Sequence, residues 1–243
     1  GGTILMLGMY CLITVVVLSY FFSDVIKKYS REIYAIAGVI SIVSIYHAIL
    51  RLNGYNVQYV DGLEPFMRSI SSGALGGAFF ILVMYMGTFS MKYKVFKQLR
   101  KNRAELSIIG GLMILPHNTF YLFQALLFTL PNVNKMNGIA LWTNLMMFAA
   151  GVFAIAVMLP LLVTSFNFVH KKMQASKWKN LQEFAYIFYA MVYVQVMMVY
   201  IGKPASNTVT LNIVFYSVIF ISYTILRVRK ALNARKRKLA QAV

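Results

Sequence analysis

The stretch that decides the fold reads Pro160-Leu-Leu-Val-Thr164-Ser165-Phe-Asn-Phe-Val-His170-Lys171-Lys172-Met-Gln-Ala-Ser-Lys177-Trp178-Lys179-Asn-Leu181-Gln182-Glu183-Phe-Ala-Tyr186, and runs on to Val194-Gln195. One apolar run ends at Thr164-Ser165, a short basic loop carries Trp178, and a second apolar run begins at Leu181. This is the pattern of a hairpin between two membrane spans. An amphipathic indole and a cluster of positive charge sit at the turn, where lipid headgroups meet water.

Outward from that hairpin the alternation repeats. Apolar runs cover Ile4–Phe22, Ile33–Leu52, Phe66–Met91, Leu106–Leu130, Ile139–Phe168, Leu181–Ile201 and Val209–Leu226. Each is near the ~20 residues that ~30 Å of hydrocarbon demands. Of the 243 residues 60% are hydrophobic and 12% charged, with mean hydropathy +0.68. Soluble domains carry about a quarter charged residues. We therefore expect an all-α integral membrane bundle of seven transmembrane helices in one domain, with the lipid bilayer as its solvent.

The net charge of +18 raises nucleic acid as a partner, and the placement of the charge argues against it. Lys27, Lys28 and Arg31 follow the first run. Lys92, Lys94, Lys97, Arg100, Lys101 and Arg103 follow the third; Lys171, Lys172, Lys177 and Lys179 the fifth. The tail after the seventh carries Arg227, Arg229, Lys230, Arg235, Lys236, Arg237 and Lys238. The alternate connections hold only Arg51, Arg68, Lys135 and Lys203. The positive-inside rule then places the N-terminus outside and the C-terminus in the cytoplasm of a multi-pass protein of the inner or plasma membrane. No small-residue cleavage site follows the first run, so it reads as a span and not as a signal peptide. The one cysteine, Cys11, excludes an intramolecular disulfide and any Cys-ligated cluster, and reads as a small packing residue.

Side chains able to do chemistry are few. The six carboxylates, Asp24, Glu32, Asp61, Glu64, Glu105 and Glu183, all lie at span ends or in loops. A proton- or cation-coupled transporter normally carries one at mid-membrane, which disfavours that class. In the third run, Ser71-Ser72-Gly73-Ala74-Leu75-Gly76-Gly77-Ala78 puts Gly73 and Gly77 on one helical face. That spacing suits close helix packing, or the close approach of a flat cofactor. His170 reads as a solvated loop residue beside Lys171. His117 lies about 12 residues past the inner boundary, hence ~18 Å deep at the helical rise, and an ionisable group at that depth is a functional candidate. His47 and Gln195, each about 14 residues into a helix rising from the same side, reach ~21 Å, while Gln182 stays at the inner boundary.

From Phe66 to Lys238 the chain resembles the ferric-reductase-like transmembrane domain family, in particular its MsrQ-like heme-binding subunit. The resemblance rests on the Ser-Gly-rich third span, the turn with Arg100 and Arg103, His117, Thr164-Ser165, Trp178-x-x-Leu181 and the basic tail. Residues 1–65 then add two N-terminal spans before a ferric-reductase-like domain at 66–243. The resemblance implies heme b with His117 as an axial ligand, and a transmembrane electron-transfer subunit. Such a subunit passes electrons from quinol or a cytoplasmic flavin donor to an extracytoplasmic redox partner protein. Two positions where that family carries histidine are Gln182 and Gln195 here, and glutamine is a poor iron ligand. One expectation is that His47 replaces the ligand lost at Gln195, leaving a single heme between the second and fourth spans, held as helical bundles hold b-type heme. The other is that each histidine hydrogen-bonds a carbonyl, Ser or Tyr on a neighbour, in a heme-free membrane anchor or assembly subunit of a reductase or transport complex. Trp178, Lys177, Lys179 and Arg100 either face a flavin, a quinone or an anionic lipid at the inner surface, or simply anchor the interface.

Overall fold

A computed structural model describes residues 2–240, and every regular element among them is helical. In chain order these are α1 (Gly2–Phe21), α2 (Ser23–Lys28), α3 (Ser30–Leu52), α4 (Glu64–Ser71), α5 (Ala74–Met86) and α6 (Lys94–Lys101). The second half holds α7 (Arg103–Gln124), α8 (Gly138–Ser165), α9 (Asn167–His170), α10 (Ala175–Glu183), α11 (Ala185–Ile201) and α12 (Asn207–Ala240). Beyond Gln124, α7 continues through a π turn at Ala125–Thr129 and a 3-10 turn at Leu130–Lys135.

Among the described residues, five helical segments are long and apolar enough to cross a bilayer: α3, α7 with its continuation, α8, α10 with α11, and α12. The pair α4–α5 makes a sixth if counted as one span, but it is bent by 63°. The reading of the third apolar run as one regular helix is thereby corrected. Helix α1 is apolar throughout and packs on α5.

The faces of these helices are sorted as lipid demands. Val214, Val218, Ile221 and Ile225 form an exposed stripe on α12, at the three- and four-residue spacing of one helical face. The buried stripe of α3 is small instead: Ala37, Ser41, Ser44 and Ala48 lie at the same spacing, and Ala48 is 0% exposed. Small side chains let backbones approach, which is what binds helices where lipid is as apolar as Leu. Through this stripe α3 packs along α7, and Ala37 joins Ile109 and Met113 in one cluster with Met67 and Ile70 of α4. A second cluster joins α8, α11 and α12, and a third joins α1, α5 and α7. In α5 it is Gly76, not Gly77, that makes the close approach. A Cβ on Gly76 would fall 2.8 Å from Ile114, whereas one on Gly77 meets nothing within 4 Å.

The basic connections gather at one end of the bundle. Asn102, at the start of α7, is fully buried and donates through Nδ2 to the Ser23 carbonyl at 2.6 Å and to its Oγ at 2.9 Å. Around this link Lys27 pairs with Glu105 at 2.5 Å and Lys101 with Asp24 at 2.5 Å. Lys230 of α12 donates to the Gly87 carbonyl just past α5 at 2.7 Å. The connections after the first and third runs and the base of α12 therefore share one end.

Candidate functional site

The chain forms two places where polar chemistry meets the apolar interior. The first lies at the break between α4 and α5. Gly73 takes φ +79°, a left-handed conformation open mainly to glycine, and turns the chain there. The break leaves carbonyls without helical donors, a costly state away from water. His117 answers this: its Nδ1 lies 3.1 Å from the Ser71 carbonyl and, as the N–H tautomer, donates to it. The ring fills the space above Gly73, where a Cβ would fall 2.9 Å from it, and Tyr121 covers it with ring centres 4.6 Å apart.

His47 stands at a neighbouring level of α3. Its level follows from two contacts: Ala37 clusters with Ile109 and Met113, and Arg51, one turn beyond His47, sits over Phe120 with its guanidinium carbon 5.4 Å from the ring centre. The His47 ring packs against Tyr59 of the 53–63 connection at 5.4 Å, and its Nδ1 is buried without a hydrogen-bond partner. Gln195 belongs to a different interface, α8 with α11; a Cβ on Gly151 would fall 2.8 Å from its Nε2. The three residues thus have separate partners. A porphyrin between His47 and His117 would have to enter between packed helices in which Ala48 and Pro116, the residues beside them, are already buried. It would also have to keep or replace the His117 bond that closes the break.

The second place is a cavity of about 390 Å³ at the basic end. Its polar rim is Arg100, Lys101, Arg103, His170, Trp178 and Gln182. Its deeper wall is apolar, with Phe80, Met158, Leu161, Leu162 and Phe188 from α5, α8 and α11. Local sequence explains the rim. Helix α6 buries Leu99 and turns its charges outward, and α10, read from sequence as a loop, is a helix that carries Trp178 back under α8. There the Trp178 indole donates to the Thr164 carbonyl at 3.2 Å, satisfying an acceptor left open at the end of α8. This contact gives the Thr164-Ser165 and Trp178 motif a structural meaning.

His170, read as a solvated loop residue, instead lines the cavity and lies against the Trp178 ring, with centres 4.3 Å apart. Gln182 lines it too, and its Nε2 is buried without an acceptor. Arg100 and Trp178 come together here, while Lys177 and Lys179 are exposed outside the lining. Among the described residues, Arg100 and Arg103 have no carboxylate partner. Arg227 and Lys230 lie within Coulombic range of both, with Glu183 the carboxylate near Arg227. The site is rich in cationic donors, and Ser107, Ser165 and Asn167 share its lining. Sequence reading missed Arg103, His170 and Gln182 as one cluster, since residues from α7, α9 and α10 meet only in the tertiary fold. Their common signal was a position beside the inner boundary.

No protein-family model matches the chain, and no solved structure matches it. It is similar to an uncharacterized protein of Treponema pallidum (strain Nichols), 27% identical over 235 residues. That alignment takes in 95% of this chain and 62% of the other protein, so the chain spans less than two thirds of that relative's length.

Proposed function

We propose that the chain is a membrane anchor or assembly subunit of a larger complex, built on a ferric-reductase-like scaffold and working without heme. The observation that carries this reading is the use His117 makes of its ring: it closes a helix break through the Ser71 carbonyl, inside a packed α3–α7 pair. The helices are joined by short connections, with 53–63 the longest non-helical one among the described residues, and none offers room for a catalytic domain. In this reading a chemical role lies outside the described bundle.

In this reading α1 is the first of seven spans, the N-terminus lies outside, and the basic end faces the cytoplasm across a plasma or inner membrane. The clustering of the basic connections at one end supports that orientation through the positive-inside rule. Isolation of the tagged chain from membranes in mild detergent tests the role. A second protein retained in about equal amount is expected; a chain that purifies alone and by itself carries electrons from a quinol would contradict it.

Transmembrane electron transfer is the second reading, favoured by the buried, unpartnered Nδ1 of His47 at a level near His117. Its redox cofactor would be heme b, with a quinol or flavin donor on the basic side.

A further inference from the structure

We propose that the cavity at the basic end binds a phosphate-headed amphiphile, with an acidic phospholipid of the adjoining leaflet as occupant. The rim lacks a fixed counter-charge. Arg100 and Arg103 approach the opening from α6 and α7 with no carboxylate partner among the described residues. The Gln182 amide nitrogen is buried at the same lining with no acceptor. A buried open donor is a costly state, and the exposed guanidiniums are solvated cations with no fixed counter-charge; one anionic head answers both.

Phosphate fits this demand better than the alternatives. A quinone offers two neutral carbonyls and leaves the guanidinium charge uncompensated. A carboxylate holds its single charge on two oxygens in one plane, whereas a phosphodiester sets its two charged oxygens and two ester oxygens tetrahedrally and so meets donors arriving from α6, α7 and α10. The rest of the cavity calls for an apolar tail: Phe80, Met158, Leu161, Leu162 and Phe188 line its depth. Its volume of about 390 Å³ falls within the roughly 300–1,000 Å³ of small-molecule sites. That space takes a head and the start of an acyl chain. The Trp178 indole, bonded to Thr164 and covered by His170, holds the rim at the level where headgroups lie.

The test uses the full chain, stripped of lipid in detergent and followed by native mass spectrometry. Phosphatidylglycerol, phosphatidylcholine and glycerol 3-phosphate are titrated separately. We expect one phosphatidylglycerol to be retained per chain, in preference to phosphatidylcholine. The pair R100Q and R103Q should weaken it roughly tenfold or more, as loss of charge-assisted hydrogen bonds does, and Gln182→Leu should weaken it less. The pair K177Q and K179Q, which removes equal charge outside the cavity, should leave retention unchanged. All four replaced charges are exposed, so folding is expected to survive, and a matching elution profile checks it. Tight binding of glycerol 3-phosphate, lost in R100Q and R103Q, would keep the phosphate site but make its occupant a soluble ester, overturning the lipid. Equal binding of both lipids, or loss in K177Q and K179Q as large as in R100Q and R103Q, would overturn the site itself. Heme content does not enter this readout, so it stands apart from the test of the subunit's role.

Discussion

At the scale of the residue, His117 and Gly73 form one device. The positive φ of Gly73 lets α4 turn into α5, and the imidazole covers the Ser71 carbonyl that the turn exposes. His117→Ala removes the donor and leaves a buried acceptor open, a loss of about 1–3 kcal/mol. We expect a lower melting temperature in detergent, with His117→Gln recovering part of the loss because its amide can donate. Equal stability of the alanine variant and the parent would refute the capping role. Gly73→Ala should cost more than ~1 kcal/mol, since alanine resists the left-handed conformation and its Cβ would meet the ring at 2.9 Å. That His117 lies inside a long apolar helix was legible in the sequence. Its partner was not, because a break in the neighbouring helix leaves no local signature beyond a glycine that also suits ordinary packing.

At the scale of the element, the hairpin from Pro160 to Gln195 shows what a local reading captures and where it stops. The two apolar runs and the interfacial tryptophan follow from composition. The helical state of α10 does not, because Lys177 and Lys179 read as a basic loop until Trp178 has a carbonyl to reach. Trp178→Phe keeps the ring and loses the bond to Thr164, so it should cost about 1 kcal/mol. Trp178→Ala should cost more, since the His170 ring also loses its cover. Thermal unfolding of both variants checks the order; a phenylalanine variant as stable as the parent would mean the indole nitrogen contributes nothing. The small stripe of α3 was overlooked in favour of the glycines of α5. Alternating Ala and Ser within an apolar run look like filler until the facing helix is known.

At the scale of the whole molecule, the one-sided basic charge was readable from sequence, and the fold gathers those connections at one end through Asn102, Lys27 and Lys230. A reporter fused after residue 236 should therefore report a cytoplasmic position, and one inserted in the 53–63 connection an external position. The opposite pair of signals would invert the topology and separate it from the positive-inside rule. The composite character of the site was the least legible part. The cavity is assembled from α5, α6, α7, α8, α9, α10 and α11, and no single stretch of sequence carries more than a fragment of it.

The central claim of the proposed reading is that His117 closes the α4–α5 break and that neither His47 nor His117 grips iron. The pyridine hemochromogen spectrum of the purified full chain, expressed with ample heme supply, tests it most directly. The account predicts no b-type signal near one equivalent, in the parent and in His47→Ala and His117→Ala alike. About one heme per chain, abolished by either alanine substitution, would contradict it and make the α3–α7 pair an electron path.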